Sequence, residues 1–178
     1  MILAIGTDIV NISRIEQAID RYGQRFVGRI YTESEQDYCN AASGQRRIIR
    51  YANRFAAKEA LYKILGTEQG ISWRELEVVR GERGKPSVQL HGRAQQVAQA
   101  MVKNFLCRKE GTASLLSSLP RKRESITAIA MDTRLRGYNN KAEEAMYRFH
   151  LSLSDDMPYS VAFVVMEAVD IACVMPSV

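Results

Sequence analysis

Asp8 and Glu59 are the two acids of this 178-residue sequence whose surroundings suggest chemistry rather than solubility. Asp8 follows the short apolar run Met1-Ile2-Leu3-Ala4-Ile5 and the step Gly6-Thr7, which sets a carboxylate at the mouth of a sheet. Taken alone, such a residue reads equally well as an Asx-turn or a helix cap. Glu59 lies in Arg54-Phe55-Ala56-Ala57-Lys58-Glu59-Ala60-Leu61-Tyr62-Lys63, where helical spacing puts Phe55, Glu59 and Lys63 on one row. Glu59 and Lys63 also fit a surface pair in the favourable order, worth about 0.2–0.5 kcal/mol. Phe55 on the same row argues that this side looks toward protein. Together the two acids could hold a Mg²⁺ ion that handles phosphates, because such an ion needs one or two carboxylates and fills its shell with phosphate oxygens and water. Lys63 and Arg54 would then offer cations to phosphate.

The elements needed to position these residues can be read in part. Residues 2–5 predict a short strand that ends in the turn chemistry of Gly6-Thr7-Asp8. Ser13 and Glu16 form a capping box, predicting a helix to about Tyr22 that Gly23 closes. Thr32 and Glu35 repeat the device for a second helix ending near Ser43-Gly44. From Ile49 to Leu65 strong helix formers run without Pro or Gly, and Gly66 stands where a left-handed cap would fall. Leu76, Val78 and Ser87–Leu90 flank Gly81-Glu82-Arg83-Gly84 as a hairpin. Residues 92–105 give a helix with Ala94, Val97, Ala98, Met101 and Val102 on one face. Leu151 and Leu153 alternate with Ser152 and Ser154, Asp155-Asp156-Met157-Pro158 turns the chain, and Tyr159–Met166 reads as a buried strand. Helices mixed with antiparallel hairpins predict one α+β domain over residues 1–178. The stretch near 107–149, with Pro120, Gly137 and an Asn pair, fits regular elements poorly beyond one short helix that Ala142–Phe149 could form, and reads as an insert.

Composition narrows the class. Apolar residues at 46% and charged residues at 25% suit a folded globular chain rather than a disordered one. Cys39, Cys107 and Cys173 are odd in number and widely spaced, which predicts free thiols in a reducing compartment. His91 and His150 do not cluster with them, which argues against a zinc site. The apolar start meets Asp8 at once, and Glu167 and Asp170 break the apolar end, so neither a leader nor a membrane span is expected, and the location expected is cytoplasmic. The first 149 residues carry +9, and Asp155, Asp156, Glu167 and Asp170 beyond them bring the net charge down to +5. Such a basic excess attracts acidic partners without choosing among nucleic acid, phosphorylated cofactors and acidic proteins.

Five motifs in order make the choice. Gly6-Thr7-Asp8-Ile9-Val10 with Arg14-Ile15, then Phe26, Arg29, Thr32 and Glu35, resemble the opening of the holo-acyl-carrier-protein synthase family. The stretch Arg54–Ala60 with Lys63, Gly66 and Thr67 resembles its central helix, Gly84-Lys85-Pro86 its hairpin, and His150-x-Ser152-x-Ser154 with Tyr159-Ser160-Val161-Ala162 its closing strands. The resemblance covers residues 1–105 and 150–168. It implies an α+β phosphopantetheinyl transferase fold, a homotrimer with active sites between subunits, and a role in fatty acid biosynthesis. By this resemblance Asp8 and Glu59 hold Mg²⁺ beside the coenzyme A pyrophosphate. Arg54, Lys63, Gly66, Thr67, Lys85, Pro86, His150, Ser152 and Ser154 line the coenzyme A pocket. Arg14, Arg21 and Arg25 meet the acidic acyl carrier protein, though a solvated basic face explains them equally. The catalytic set is Asp8, Glu59 and Lys63, with Glu59, or a water it orients, taking the carrier serine proton.

Two departures stand out. Asp155 occupies the place where that family usually carries a histidine, and the segment near 107–149 is foreign to it. The insert is expected to loop into solvent and leave catalysis intact, because closure entropy grows slowly with length. Two rival readings follow: a relative that binds coenzyme A without turnover, and a nucleic-acid-binding protein suggested by pI ≈ 9.2 and Arg121-Lys122-Arg123, for which no recognised motif is present.

Overall fold

A computed structural model of the chain describes residues 1–81, 84–109 and 147–169. The elements run β1 (Ile2–Asn11), α1 (Ile12–Tyr22), α2 (Gln24–Ile30), α3 (Glu33–Asn40), α4 (Gly44–Leu65), β2 (Leu76–Arg80), β3 (Pro86–Leu90), α5 (Gly92–Lys109), β4 (Tyr147–Asp156) and β5 (Tyr159–Ala168). Short 3₁₀ turns at Thr67–Gln69 and Trp73–Glu75 join α4 to β2. The fold is α+β, as the sequence predicts. Of the expected insert, residues 107–109 continue α5, and 147–149 open β4 instead of ending the short helix expected over Ala142–Phe149; the remainder lies outside the described residues.

Strands β1, β5 and β4 form an antiparallel sheet in that order, and β2 pairs with β3 as the expected hairpin. Helix α4 lies across β1 and β5. Its Ala52, Ala56, Ala57, Ala60 and Leu61 are fully buried. Small residues let helix and sheet approach closely, while Leu61 contributes about 1.5–3 kcal/mol by leaving water. Ala94, Ala98 and Val102 bury the predicted face of α5.

Several sequence expectations are revised. The first strand does not stop at Gly6-Thr7-Asp8 but continues to Asn11, paired with β5 from Gly6↔Val164 through Asp8↔Ala162 to Asn11↔Tyr159. Gly6 serves close approach there, not turning. The first helix is capped by Asn11, whose side chain accepts from Ser13 N at 2.9 Å, so the Ser13–Glu16 box is not used as a cap. The Thr32–Glu35 box is present with both of its bonds, but its helix ends at Asn40, and α2 before it was not anticipated. Helix α4 begins at Gly44, a turn earlier than Ile49. Gly66 ends it at φ 91°, ψ 126°, a positive φ outside the left-handed helical well, with its N–H bonded to Tyr62 O. Strand β5 is buried on one face only: Ser160, Ala162, Val164 and Met166 point inward, while Tyr159, Val161 and Phe163 are exposed.

Candidate active site

The alternation of β1 sends Gly6, Asp8 and Val10 toward α4 and leaves Ile5, Thr7 and Ile9 on the outer face. Glu59 projects from α4 toward the same place. Asp8 and Glu59 both line a cavity of about 290 Å³, walled by Arg14, Ile15, Phe26 and Phe55. Lys63, one turn beyond Glu59, reaches back so that Nζ lies 2.8 Å from Asp8 Oδ1 and 2.7 Å from the Thr7 carbonyl oxygen. Residues separated by half the described fold thus converge on one point.

The electrostatics set two carboxylates against one another. Burial pushes the Glu59 carboxyl above its usual value, and the negative charge of Asp8 adds to that, with Lys63 opposing. Two acids sharing a half-buried cavity with one ammonium nearby would gain from a bound cation. Among the described residues no group of three His, Cys, Asp or Glu comes together. The donor set is therefore two carboxylates without nitrogen or sulfur ligands. It suits a hard ion such as Mg²⁺ that keeps water and takes phosphate oxygens.

The other candidate residues divide into groups. Gly66 caps α4 just beyond Lys63 and Thr67 begins the 3₁₀ turn after it, while Lys85 precedes β3 and Pro86 opens it. Arg14 lines the cavity, while Arg21 and Arg25 are exposed on α1 and α2. Arg54 does not line it: its guanidinium is buried 3.9 Å from the Tyr38 ring centroid, and its Nε has no hydrogen-bond partner among the described residues. His150, Ser152 and Ser154 pair in register with Val165, Phe163 and Val161, so they occupy the outer face of the sheet, opposite to Asp8. His150 Nε2 lies 2.8 Å from Glu167 Oε2 on that face. Asp155 turns the other way, toward α4, where Oδ1 accepts from Asn53 Nδ2 at 2.9 Å. It ties the end of β4 to the central helix and does not share the face of Ser152 and Ser154.

Sequence reasoning missed a buried ion pair next to this site. Lys58 Nζ is 2.7 Å from Glu35 Oε2, and both side chains are fully buried. Lysine is rarely buried without a partner, and removing one member of such a pair costs about 3–5 kcal/mol. The one available signal was Lys58 sharing a helix side with Tyr51, Arg54 and Tyr62, an unusual neighbourhood for a solvated amine.

The sequence model of the 4'-phosphopantetheinyl transferase superfamily matches residues 4–113. The chain belongs to this superfamily. Within it, the chain is similar to the holo-[acyl-carrier-protein] synthase of Paramagnetospirillum magneticum, with 37% identity covering 94% of this chain and 98% of that one. It is 48% identical to the synthase of Koribacter versatilis over 57% of this chain and 81% of the relative. The fold resembles the Bacillus anthracis holo-(acyl-carrier-protein) synthase solved in complex with CoA (3',5'-ADP), with TM-score 0.58 and 27% identity covering 94% and 98% of the two chains. The Neisseria meningitidis synthase gives TM-score 0.59 and 28% identity, covering 94% and 99%. This phosphopantetheinyl transferase is thus an enzyme by family, and Asp8, Glu59 and Lys63 are its convergent polar centre.

Proposed function

We propose that the chain transfers the 4'-phosphopantetheine group of coenzyme A to a serine of an apo-acyl carrier protein, releasing adenosine 3',5'-bisphosphate. The observation that carries the reading is the convergence of Asp8 and Glu59 on one cavity with Lys63 beside them. Asp8 and Glu59 would hold Mg²⁺, which would neutralise negative charge on the pyrophosphate. Lys63, with its side chain half exposed, keeps an ammonium next to Asp8 where a phosphate can reach it. Glu59, with its carboxyl raised by burial and by Asp8, is poised to accept the serine proton, directly or through a water it orients. The hydroxyl oxygen then bonds to the phosphorus that carries pantetheine, and the bond to the leaving bisphosphate breaks.

The pocket for coenzyme A is assigned to residues from two copies of the chain. Gly66 and Thr67 follow the end of α4, Lys85 and Pro86 sit at the tip of the β2–β3 hairpin, and Arg54 lies on α4 with its guanidinium against Tyr38. His150, Ser152 and Ser154 sit on the far face of the sheet. What supports self-association is that this far face is apolar and exposed: Ile5, Ile9, Val161 and Phe163 are each 39–62% accessible. A patch of that kind calls for a partner. A homotrimer would bring one copy's His150, Ser152 and Ser154 to a neighbour's Asp8 and Glu59. Arg14, Arg21 and Arg25 would steer the acidic carrier to the cavity mouth. The reading takes the whole chain as one domain, fatty acid biosynthesis as the process served and the cytoplasm as its location. Among the described residues no helix is long and apolar enough to cross a membrane.

Incubation with apo-carrier, coenzyme A and Mg²⁺, followed by mass spectrometry, tests the function. The carrier serine should gain the phosphopantetheine mass only when all three are present. Coenzyme A binding without any mass gain would sink the transferase reading in favour of an inactive relative.

A further inference from the structure

The buried Lys58 is not in contact with the cavity, yet it neighbours Glu59 in sequence and its bonds lead back to the cavity wall. Its ammonium has three protons and three acceptors: Glu35 Oε2 at 2.7 Å, Ile30 O at 2.9 Å and Trp73 O at 2.9 Å. Glu35 is equally engaged, accepting from Thr32 N and from Val78 N, each at 2.9 Å. One ion pair therefore fixes the end of α2, the start of α3, the Trp73 turn and strand β2 against α4. The Trp73 ring then stacks on Phe55, with centroids 5.3 Å apart and planes 21° apart, and packs on Tyr62 at 4.8 Å. Phe55 is a wall of the cavity that holds Asp8 and Glu59.

We propose that Lys58 and Trp73 are positioning residues for the transfer site: the Glu35–Lys58 pair fixes the Trp73 backbone, and the indole sets the Phe55 ring that shapes the substrate-facing wall. This deepens the transferase reading and rests on it for the kinetic effect alone. The geometry suits the task. A backbone carbonyl held by a buried, fully bonded ammonium has little freedom, and a stacked ring pair transmits that fixity to Phe55 without touching substrate. The side-chain hydrogen bonds and ion pairs of Lys58 run to Glu35, Ile30 and Trp73, and those of Lys63 to Asp8 and Thr7, so loss of the device should weaken substrate engagement more than the chemical step. An interaction made equally in ground and transition states shows in KM rather than kcat.

Trp73 is the sole tryptophan of the sequence, so its emission reports this contact without labelling. Two sets of variants test the proposal in the full chain. Glu35→Gln/Lys58→Met removes the pair without stranding a buried charge. Trp73→Leu removes the indole but keeps the carbonyl that Lys58 holds, and Trp73→Phe restores a ring. The double variant and Trp73→Leu should raise the carrier KM about tenfold with kcat held within about twofold, a modest displacement by the standard that 1 Å can cost 10²-fold. Trp73→Phe should return KM toward the parent value. The resting emission of Trp73 should move to the red in the double variant as the stack loosens. A folded double variant with parental KM and emission would overturn the proposal. So would Trp73→Leu with a parental KM, which decides the matter if the double variant does not fold. If the parent protein transfers nothing, the transferase reading fails, and the emission of the double variant still decides whether the pair sets the stack.

Discussion

Gly6 and Ala60 are in such close contact that a Cβ on Gly6 would stand 2.1 Å from the Ala60 carbonyl oxygen. That contact brings β1 and α4 near enough for Asp8, two residues along the strand, to meet Glu59. Backbone oxygen cannot swing aside as a side chain can. Gly6→Ala should push strand and helix apart, costing about 1–3 kcal/mol, and lower the melting temperature by roughly 2–10 °C for a domain of this size. Transfer activity should fall further than stability explains, because the two acids separate. Calorimetry alongside rate measurements on the folded fraction checks both.

Asp8→Asn and Glu59→Gln keep shape and remove charge at the cavity. Each should reduce kcat/KM roughly 100-fold or more, given that losing even an indirect support costs a metal site 10–100-fold. The melting temperature of Glu59→Gln should hold or rise, since the crowding of negative charge is relieved, whereas Asp8→Asn also gives up its ion pair with Lys63. Titrating Mg²⁺ into both variants should show weakened metal dependence; unchanged rates would remove the two acids from the mechanism.

If the site is shared between copies, Asp8→Asn and His150→Ala damage different halves of it. Each variant alone should be nearly inactive. Mixing the two after dissociation and reassociation should recover activity, because some interfaces then pair an intact Asp8 with an intact His150. Phe163→Glu on the exposed sheet face should abolish association in sedimentation and activity with it.

Arg21 and Arg25 are exposed and away from the cavity lining. Arg21→Glu and Arg25→Glu should raise the carrier KM by about three- to tenfold at low salt with kcat unchanged, as steering charges act on encounter. Raising salt should shrink the difference between variants and parent as screening sets in. A KM indifferent to salt would leave these arginines as plain surface.

Glu77 offers a test in pH. Burial pushes its carboxyl up, but hydrogen bonds from His91 and from Thr32 outweigh this and hold it below its usual value. Glu77 Oε2 lies 2.8 Å from His91 Nε2, and Oε1 lies 2.8 Å from Thr32 Oγ1. A depressed folded value means stability that is present above the ordinary carboxylate range and is lost as pH falls through the folded value. Thr32→Val also loses the cap of α3 at every pH, about 0.5–2 kcal/mol, so its deficit to the parent should be largest at neutral pH and converge on that cap loss as pH falls through the folded value of Glu77. Denaturation curves across that range measure the convergence.

What the sequence revealed was local. The Thr32–Glu35 box, the long helix through Glu59 and the Leu76–Leu90 hairpin are written in neighbouring residues, and the structure has all three. Gly6 misled because glycine marks both turns and close approaches, and only the distant Ala60 distinguishes them. Ser13 misled because Asn11, two residues earlier, caps equally well and lies at the strand's end. Helix α2 was hidden by Gly23 and Gly28, which weaken any helical reading over so short a stretch. The partner of Lys58 was out of reach, since nothing nearby in the sequence announces Glu35. For the site, family motifs supplied the candidates, and spacing alone could not have brought Asp8 to Glu59.

The sheet carries Asp8 on one side and His150, Ser152 and Ser154 on the other, so if the site is shared as proposed, a solitary chain holds two half-workshops back to back. Activity per molecule would then depend on concentration, fading on dilution before the fold itself is disturbed. A copy defective in one half would then silence only the interface that uses this half, and its other interface would keep working for its neighbour.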